Sequence, residues 1–118
     1  AVLAAGALLI GGIGSVDAAN WYTIGTDSNG ITWSIDNDSV KKDDKKAVLD
    51  IKAMDYEGYH YIVTEEFNHK KREVKDVKVT LYNPKGEVVK QEQPNKSTRK
   101  VEQGTPAYAV YTLIWGDK

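Results

Sequence analysis

Cysteine is absent from the chain, and histidine is scarce. Without cysteine there is no disulfide, no thiolate metal site, no cysteine nucleophile and no lipid attached through an N-terminal cysteine. The two histidines, His60 and His69, would be about 30 Å apart on one extended strand, so they do not share a metal ion there. Neither charge sign dominates, with 16 Lys and Arg against 17 Asp and Glu. This balance argues against nucleic acid as a partner.

The usual catalytic and nucleotide-binding motifs are also missing. No serine lies in a G-x-S-x-G turn, and the glycines form neither a G-x-G-x-x-G fingerprint nor a Walker loop. Glu65 and Glu66 are adjacent, and neighbours on a strand point to opposite faces, so they do not form a coupled acid and base. The Asp and Asn clusters lack the spacing of a calcium loop. We therefore expect no enzyme, no metal and no cofactor.

An uncharged apolar stretch covers residues 1–14. It is too short for a helix that spans a bilayer, which needs ~20 residues. Small residues that suit a cleavage site follow, as Val16-Asp17-Ala18 or Asp17-Ala18-Ala19, and the sequence becomes polar at Asn20. We expect residues 1–19 to be a truncated signal peptide, which directs export to the periplasm, the cell surface or the medium. The alternative is a buried N-terminal helix.

Residues 20–118 are predicted to form one domain rich in β-strands. In the clearest segment Val77, Val79 and Leu81 alternate with polar residues, as on a strand with one buried face. The turn formers Asn83-Pro84-Lys85-Gly86 and a second extended run complete a β-hairpin. Similar patterns predict further strands over residues 20–25, 31–36, 46–54 and 59–67, with turns over residues 26–30 and 55–58.

One of these strands carries a charge on its apolar face. Tyr59, Tyr61, Val63 and Phe67 share one side of the predicted strand 59–67, and Glu65 interrupts them. A carboxyl group at this position predicts either a strand that ends on a sheet edge or a β-bulge.

The C-terminal segment is predicted to be a helix. Thr105 is a good N-cap residue, Pro106 suits the first helical position, and Gly116 suits the position that follows the last turn. The alternative is a last strand over residues 107–115, which are rich in β-branched and aromatic residues. The predicted fold class is thus α+β. It has an antiparallel sheet of about six strands, arranged as meandering hairpins, with the C-terminal helix packed on one face.

A run of cations is the local feature that points to a function. The candidate binding residues are five cations of one short segment: Lys70, Lys71, Arg72, Lys75 and Lys78. Lys96, Arg99 and Lys100 join them if the later loop folds nearby. Several cations on one surface add their potentials and hold a polyanion or an acidic protein face. Glu73 and Asp76 lie in the same run, and the alternative is a solvated face whose lysines protect an edge strand.

Four short segments occur along the chain in a characteristic order. They are WYTIG at 21–25, WSID at 33–36, LYNPKGEVV at 81–89, and Gly104-Thr105-Pro106 before the last apolar element. In this order they resemble the surface-adhesin protein E-like domain of bacteria. The resemblance implies an exported antiparallel sheet with a C-terminal helix, and its namesake is a surface lipoprotein that binds host extracellular proteins. The chain differs in lacking the cysteine pair of many members.

Two functions follow from the residues and the resemblance. The first is a non-enzymatic, adhesin-like bacterial binding module that contacts a host or envelope protein, or a polyanion, through a sheet edge or the lysine-rich segment. The second is a structural envelope protein that self-associates, for example as a homodimer, through exposed aromatic residues. Neither function requires stable insertion into a membrane once the leader has been removed.

Overall fold

The structure is a computed structural model that describes residues 19–94 and 97–116. Residues 1–18 of the expected signal peptide and Lys96 of the basic run lie outside these ranges. The described chain folds as an antiparallel sheet with one C-terminal helix, which confirms the α+β class. The strands are β1 (Trp21–Thr26), β2 (Thr32–Asp36), β3 (Lys41–Lys42), β4 (Lys46–Met54), β5 (His60–Asn68), β6 (Glu73–Tyr82), β7 (Val88–Glu92) and β8 (Arg99–Lys100), and the helix α1 is Pro106–Trp115.

Within residues 19–94 and 97–116 the sheet has eight strands, where about six were predicted. Six of them form the expected meander, in the spatial order β1, β2, β4, β5, β6, β7. The other two, β3 and β8, are only two residues long and pair with the first residues of β4 and β6 respectively. A two-residue strand has no measurable hydrophobic period, so a sequence pattern does not reveal it.

Three hairpin turns are built in the same way and confirm the predicted turn positions. In each, an Asx side chain accepts hydrogen bonds from the backbone N–H groups two and four residues later. These side chains are Asp27, Asp55 and Asn83. Because β1, β4 and β6 run in the same direction, the three turns lie at one end of the sheet. Gly58 has a positive φ of 97°, and a Cβ placed there would lie 3.0 Å from Cβ of Pro84, so two of the turns touch.

The core lies between α1 and one face of the sheet, which we call the helix face. The alternation predicted for β4 is confirmed, because Ala47, Leu49 and Ile51 are buried on this face while Val48 and Asp50 point to the opposite face. Residues of α1 cover these side chains and complete the core. Its buried apolar residues are Ile35, Ala47, Leu49, Ile51, Phe67, Val74, Val101, Val110, Tyr111 and Ile114.

Helix α1 begins and ends at the predicted residues. The backbone N–H of Tyr108 donates to Oγ1 of Thr105, 3.2 Å away. Pro106 occupies the start of the first turn, and Gly116 takes the left-handed conformation, where its N–H donates to the carbonyl of Thr112. Local capping chemistry therefore favours the helix over the alternative strand.

Contacts with the sheet hold the C-terminal end of α1. Nζ of Lys42 donates to the carbonyl of Ile114, which lies in the last turn of the helix, at 2.6 Å. The indole N–H of Trp115 donates to the carbonyl of Asp43 at 3.0 Å, and its ring stacks on His69 with the centroids 4.2 Å apart. The helix is thus fixed at the sheet end opposite the three Asx turns.

We expect Thr105→Ala to lower the free energy of unfolding by ~1 kcal/mol, because it removes the N-cap hydrogen bond of α1. Urea unfolding followed by circular dichroism measures this change. Thr105→Ser keeps the hydroxyl and should recover most of the loss. Equal stability of the alanine variant and the wild type would contradict a capping role.

A bulge lies beside Glu65, but it is in the neighbouring strand β6 and not in the strand of Glu65 as predicted, and the alternative, a sheet edge, is wrong. Strand β5 pairs with β4 and β6 along its whole length, so it is an interior strand. Thr64 pairs with Lys78 and Glu65 pairs with Asp76, which leaves Val77 as the extra residue. Val77 was predicted on the buried face and is instead 41% exposed. The bulge explains this difference.

Candidate functional site

A groove of about 190 Å³ lies on the helix face, between the first turns of α1 and the sheet. Small side chains meet there, since Ala53 of the sheet and Ala107 of the helix contribute only methyl groups, and this leaves space between the two layers. Its lining is apolar except at one end. The groove is lined by Trp33, Ile51, Ala53, Val63, Glu65, Arg99, Thr105, Pro106, Ala107 and Val110.

The polar end of the groove consists of two carboxyl groups and one guanidinium. Nη2 of Arg99 lies 3.1 Å from Oε2 of Glu65 and 3.2 Å from Oδ1 of Asp76. Glu65 and Asp76 are paired residues of β5 and β6, so both side chains stand on the helix face. The Glu65 side chain is only 12% exposed. These three residues, which we call the acid pair and its arginine, share one site.

The surroundings of Glu65 favour the protonated form of its carboxyl group. Burial is the main cause that raises the pKa of Glu65 to about 8, and the hydrogen bond to Asp76 and the charge of Asp76 act in the same direction, while Arg99 opposes them. A protonated carboxyl donates the hydrogen bond and a carboxylate accepts it. A protonated Glu65 thus has an acceptor in the Asp76 carboxylate at the end of the groove.

The aromatic wall of the groove is held in place by the first Asx turn. The indole N–H of Trp33 donates to Oδ2 of Asp27, 2.9 Å away. This hydrogen bond is the largest of the causes that lower the pKa of the Asp27 carboxyl. The wall is thus preorganised, which reduces the entropy that a ligand loses on binding.

The groove has the features of a site for a small ligand: an apolar body and a titratable, hydrogen-bonding end. The histidines lie elsewhere. His60 stacks on Tyr82 on the opposite face, and His69 stacks on Trp115 at the far end of α1. Across residues 19–94 and 97–116 no three His, Cys, Asp or Glu side chains come together in a way that suits a metal ion.

The cations predicted as binding residues are divided between two places. Lys70, Lys71 and Arg72 lie in the turn between β5 and β6, whereas Lys75 and Lys78 lie on the face opposite α1. Lys75 has an acidic neighbour, since its Nζ lies 3.8 Å from Oε2 of a glutamate on β5. Their role in binding remains a prediction.

The two cations of β8 also separate. Nζ of Lys100 donates to the carbonyl of Lys71 at 3.1 Å and so joins the turn, as expected if the loop folded nearby. Arg99 instead closes the groove beside the acid pair. Neighbouring side chains on a strand point to opposite faces, so Arg99 reaches the groove while Lys100 reaches the β5–β6 turn.

No family model, curated protein or solved structure matches the chain. The resemblance to the protein E-like domain therefore remains a prediction, and the functional argument rests on the geometry of this chain. In the part of the chain that the structure describes, no helix combines the length and the hydrophobicity that a membrane crossing requires.

A second candidate surface lies along the last strand of the meander. Within the described residues no strand pairs with the outer side of β7. Val88 and Val89 are 55% and 50% exposed, and the register with β6 shifts beside them. An edge strand with exposed valines offers both free backbone groups and apolar side chains.

Exposed tyrosines lie in and after the β4–β5 turn, which touches the β6–β7 turn at Pro84. Tyr56 projects from the β4–β5 turn with 88% of its surface exposed, and Tyr59 is nearly half exposed. Tyr61 reaches β7, because its hydroxyl donates to Oε2 of Glu92 on this strand at 3.1 Å. The glutamate also raises the pKa of the Tyr61 phenol. We call Tyr56, Tyr59, Tyr61, Val88 and Val89 the tyrosine edge.

Sequence reasoning singled out Glu65 but missed its partners. Asp76 and Arg99 were noted only as members of the charged run and the later loop. The detectable signal was the carboxyl on an otherwise apolar strand face, which demands a polar partner when buried. Which partner meets it depends on the strand register, and a bulge changes that register.

Proposed function

We propose that the protein is an exported, non-enzymatic bacterial binding module that holds a protein partner at the tyrosine edge. The observation that carries this proposal is the outer side of β7, whose two valines are half exposed. An extended segment of a partner adds to such an edge as a further strand, with its backbone groups paired to those of β7. The apolar leader supports export.

The side chains of the tyrosine edge suit a protein surface. Tyrosine is enriched among the residues that dominate binding energy, because it buries a large rigid ring and keeps a polar tip. Lys90 and the register shift in β7 limit unselective pairing, as is common for natural edge strands. A partner must therefore match the side chains as well as the backbone.

A protein partner is favoured over a polyanion because three lysines of the sheet have acidic neighbours. Lys46 and Lys75 both lie 3.8 Å from Oε2 of Glu66, and Lys100 lies 3.5 Å from Oε2 of Glu73. A polyanion would have to compete with these carboxylates for the cations.

The test is a selection of flexible peptides from a displayed library on the immobilised 118-residue chain. We expect enriched peptides to bind with a Kd of roughly 1 to 100 μM, and Val89→Lys to weaken them at least about tenfold. Leu113→Lys is the matched control, since Leu113 is exposed to a similar extent, 49%, and belongs to α1 and not to β7. Amide hydrogen exchange should show that bound peptide protects β7.

Three results would count against this assignment. One is the absence of any enriched peptide, and another is equal sensitivity to the two lysine variants. The third is heparin binding that weakens with salt and ignores Val89→Lys, which would favour the lysine-rich segment.

The second candidate function is self-association at the same edge. Two copies related by a two-fold axis can pair β7 with β7 in antiparallel fashion, because such an interface is self-complementary. Sedimentation velocity over a range of protein concentrations would then detect a dimer, and Val89→Lys would abolish it while Leu113→Lys would not.

A further inference from the structure

We propose that the groove beside α1 binds a small organic cation: a primary ammonium on a short apolar chain, with the ammonium at Glu65 and the chain against Ile51, Ala53 and Val63. This site is separate from the tyrosine edge, and its occupant differs in kind from a protein partner. It therefore stands or falls independently of the function proposed above.

The charges at the end of the groove are unbalanced by one. The single guanidinium of Arg99 lies 3.1 Å from the Glu65 carboxyl group and 3.2 Å from the Asp76 carboxyl group. If both acids were ionised, the site would carry one excess negative charge where water is largely excluded, which is unfavourable. Burial, together with the hydrogen bond to Asp76 and the charge of Asp76, raises the pKa of Glu65 to about 8 and so favours a bound proton. The bound proton thus occupies the place of a missing cation.

Among the residues that the structure describes, Asp76 and Arg99 are the charged groups that act on Glu65. Glu65 is paired with Asp76 on β6 and with the uncharged Leu49 on β4. From β8, the Arg99 side chain donates a hydrogen bond to it. Helix α1, which covers this part of the sheet, contains no Asp, Glu, Lys, Arg or His. An ammonium that enters the groove supplies the positive charge directly.

The remaining lining selects the rest of the ligand. Beyond Glu65 and Arg99 the sheet contributes Ile51, Ala53 and Val63, which favour an alkyl or similar apolar chain. A carboxylate in place of the ammonium would bring a further negative charge to the acid pair, which already lacks a second cation. A divalent metal ion would have only these two carboxyl groups as ligands, and both already contact a guanidinium, so the site suits a metal ion poorly.

Binding of the ammonium is coupled to loss of a proton. The ammonium and the bound proton stabilise the same negative charge, so each excludes the other. An alkylammonium keeps its own proton up to about pH 10. Affinity for it should therefore rise with pH until Glu65 is ionised without help, and then level off.

The experiment is a calorimetric titration of the 118-residue chain with n-hexylamine, n-hexanol and hexanoate, each at about pH 6 and about pH 9. We expect hexylamine to bind most tightly, and its affinity to be at least about tenfold lower at the acidic pH. Near neutral pH, two buffers of different ionisation enthalpy should report release of up to about one proton per amine bound.

Two glutamine variants separate this site from general surface charge. Glu65→Gln preserves shape and removes the carboxylate, so hexylamine should lose its advantage over hexanol together with the pH dependence. Glu66→Gln is the matched control, because Glu66 is the next residue and points to the opposite face. It should leave amine binding unchanged. Near-ultraviolet circular dichroism confirms that both variants are folded.

The proposal is overturned if hexylamine binds no more tightly than hexanol, or if hexanoate binds best. It is also overturned if a folded Glu65→Gln variant retains pH-dependent binding of the amine. A Val89→Lys variant should bind hexylamine normally, which distinguishes failure of this site from failure at the tyrosine edge.

Discussion

The free energy of unfolding should fall as the pH rises from 4.5 to about 8, the interval between the ordinary and the folded-state pKa of Glu65. In this interval the folded protein binds more protons at Glu65 than the unfolded chain does, so raising the pH removes stability. The limiting slope for one proton is ~1.4 kcal/mol per pH unit. Below the interval Glu65 is protonated in both states, and above it the whole contribution has been lost.

Urea unfolding at a series of pH values measures this slope. Glu65→Gln should flatten the curve across the interval and should be more stable than the wild type at about pH 9, where the wild-type carboxyl is ionised. Glu66→Gln should preserve the wild-type slope, because this side chain is on the opposite face and pairs with lysines. If Glu65→Gln and the wild type have the same slope, the buried acid pair is not the cause.

The second large effect is expected at Phe67. This ring is fully buried on the helix face, where Ala47 of β4 and Val74 of β6 are its paired residues. Phe67→Ala removes most of the ring and leaves a cavity that the rigid sheet cannot close, which costs ~3 to 5 kcal/mol. A small domain has only ~5 to 15 kcal/mol of total stability, so the variant should be close to unfolding at room temperature.

Urea unfolding of Phe67→Ala and Phe67→Leu tests this expectation. The leucine variant retains most of the volume and should lose clearly less stability than the alanine variant. Val89→Ala serves as the control, because Val89 is on the exposed edge and its truncation should change stability by ~0.5 kcal/mol or less. A loss below ~1 kcal/mol for Phe67→Ala would contradict its place at the centre of the core.

The candidate site was only partly predictable because its parts come from distant positions in the chain. Glu65 and Arg99 are separated by 34 residues, and the contact between them is made by a two-residue strand. The bulge at Val77 brings Asp76 opposite Glu65. If the pairing had continued without a bulge from Thr64 and Lys78, Val77 would lie opposite Glu65 instead. Local patterns do not specify such a shift in register.

The sequence alone determined the local elements, because their causes act over a few residues. The period of two in β4 selects the buried side chains, the turns that begin with Asp27, Asp55 and Asn83 are closed by their own side chains, and Thr105 caps the helix. Only the tertiary structure decided which charges meet. Burial raises the pKa of one of them, and this depends on the helix that covers Glu65 and on the register of its strand.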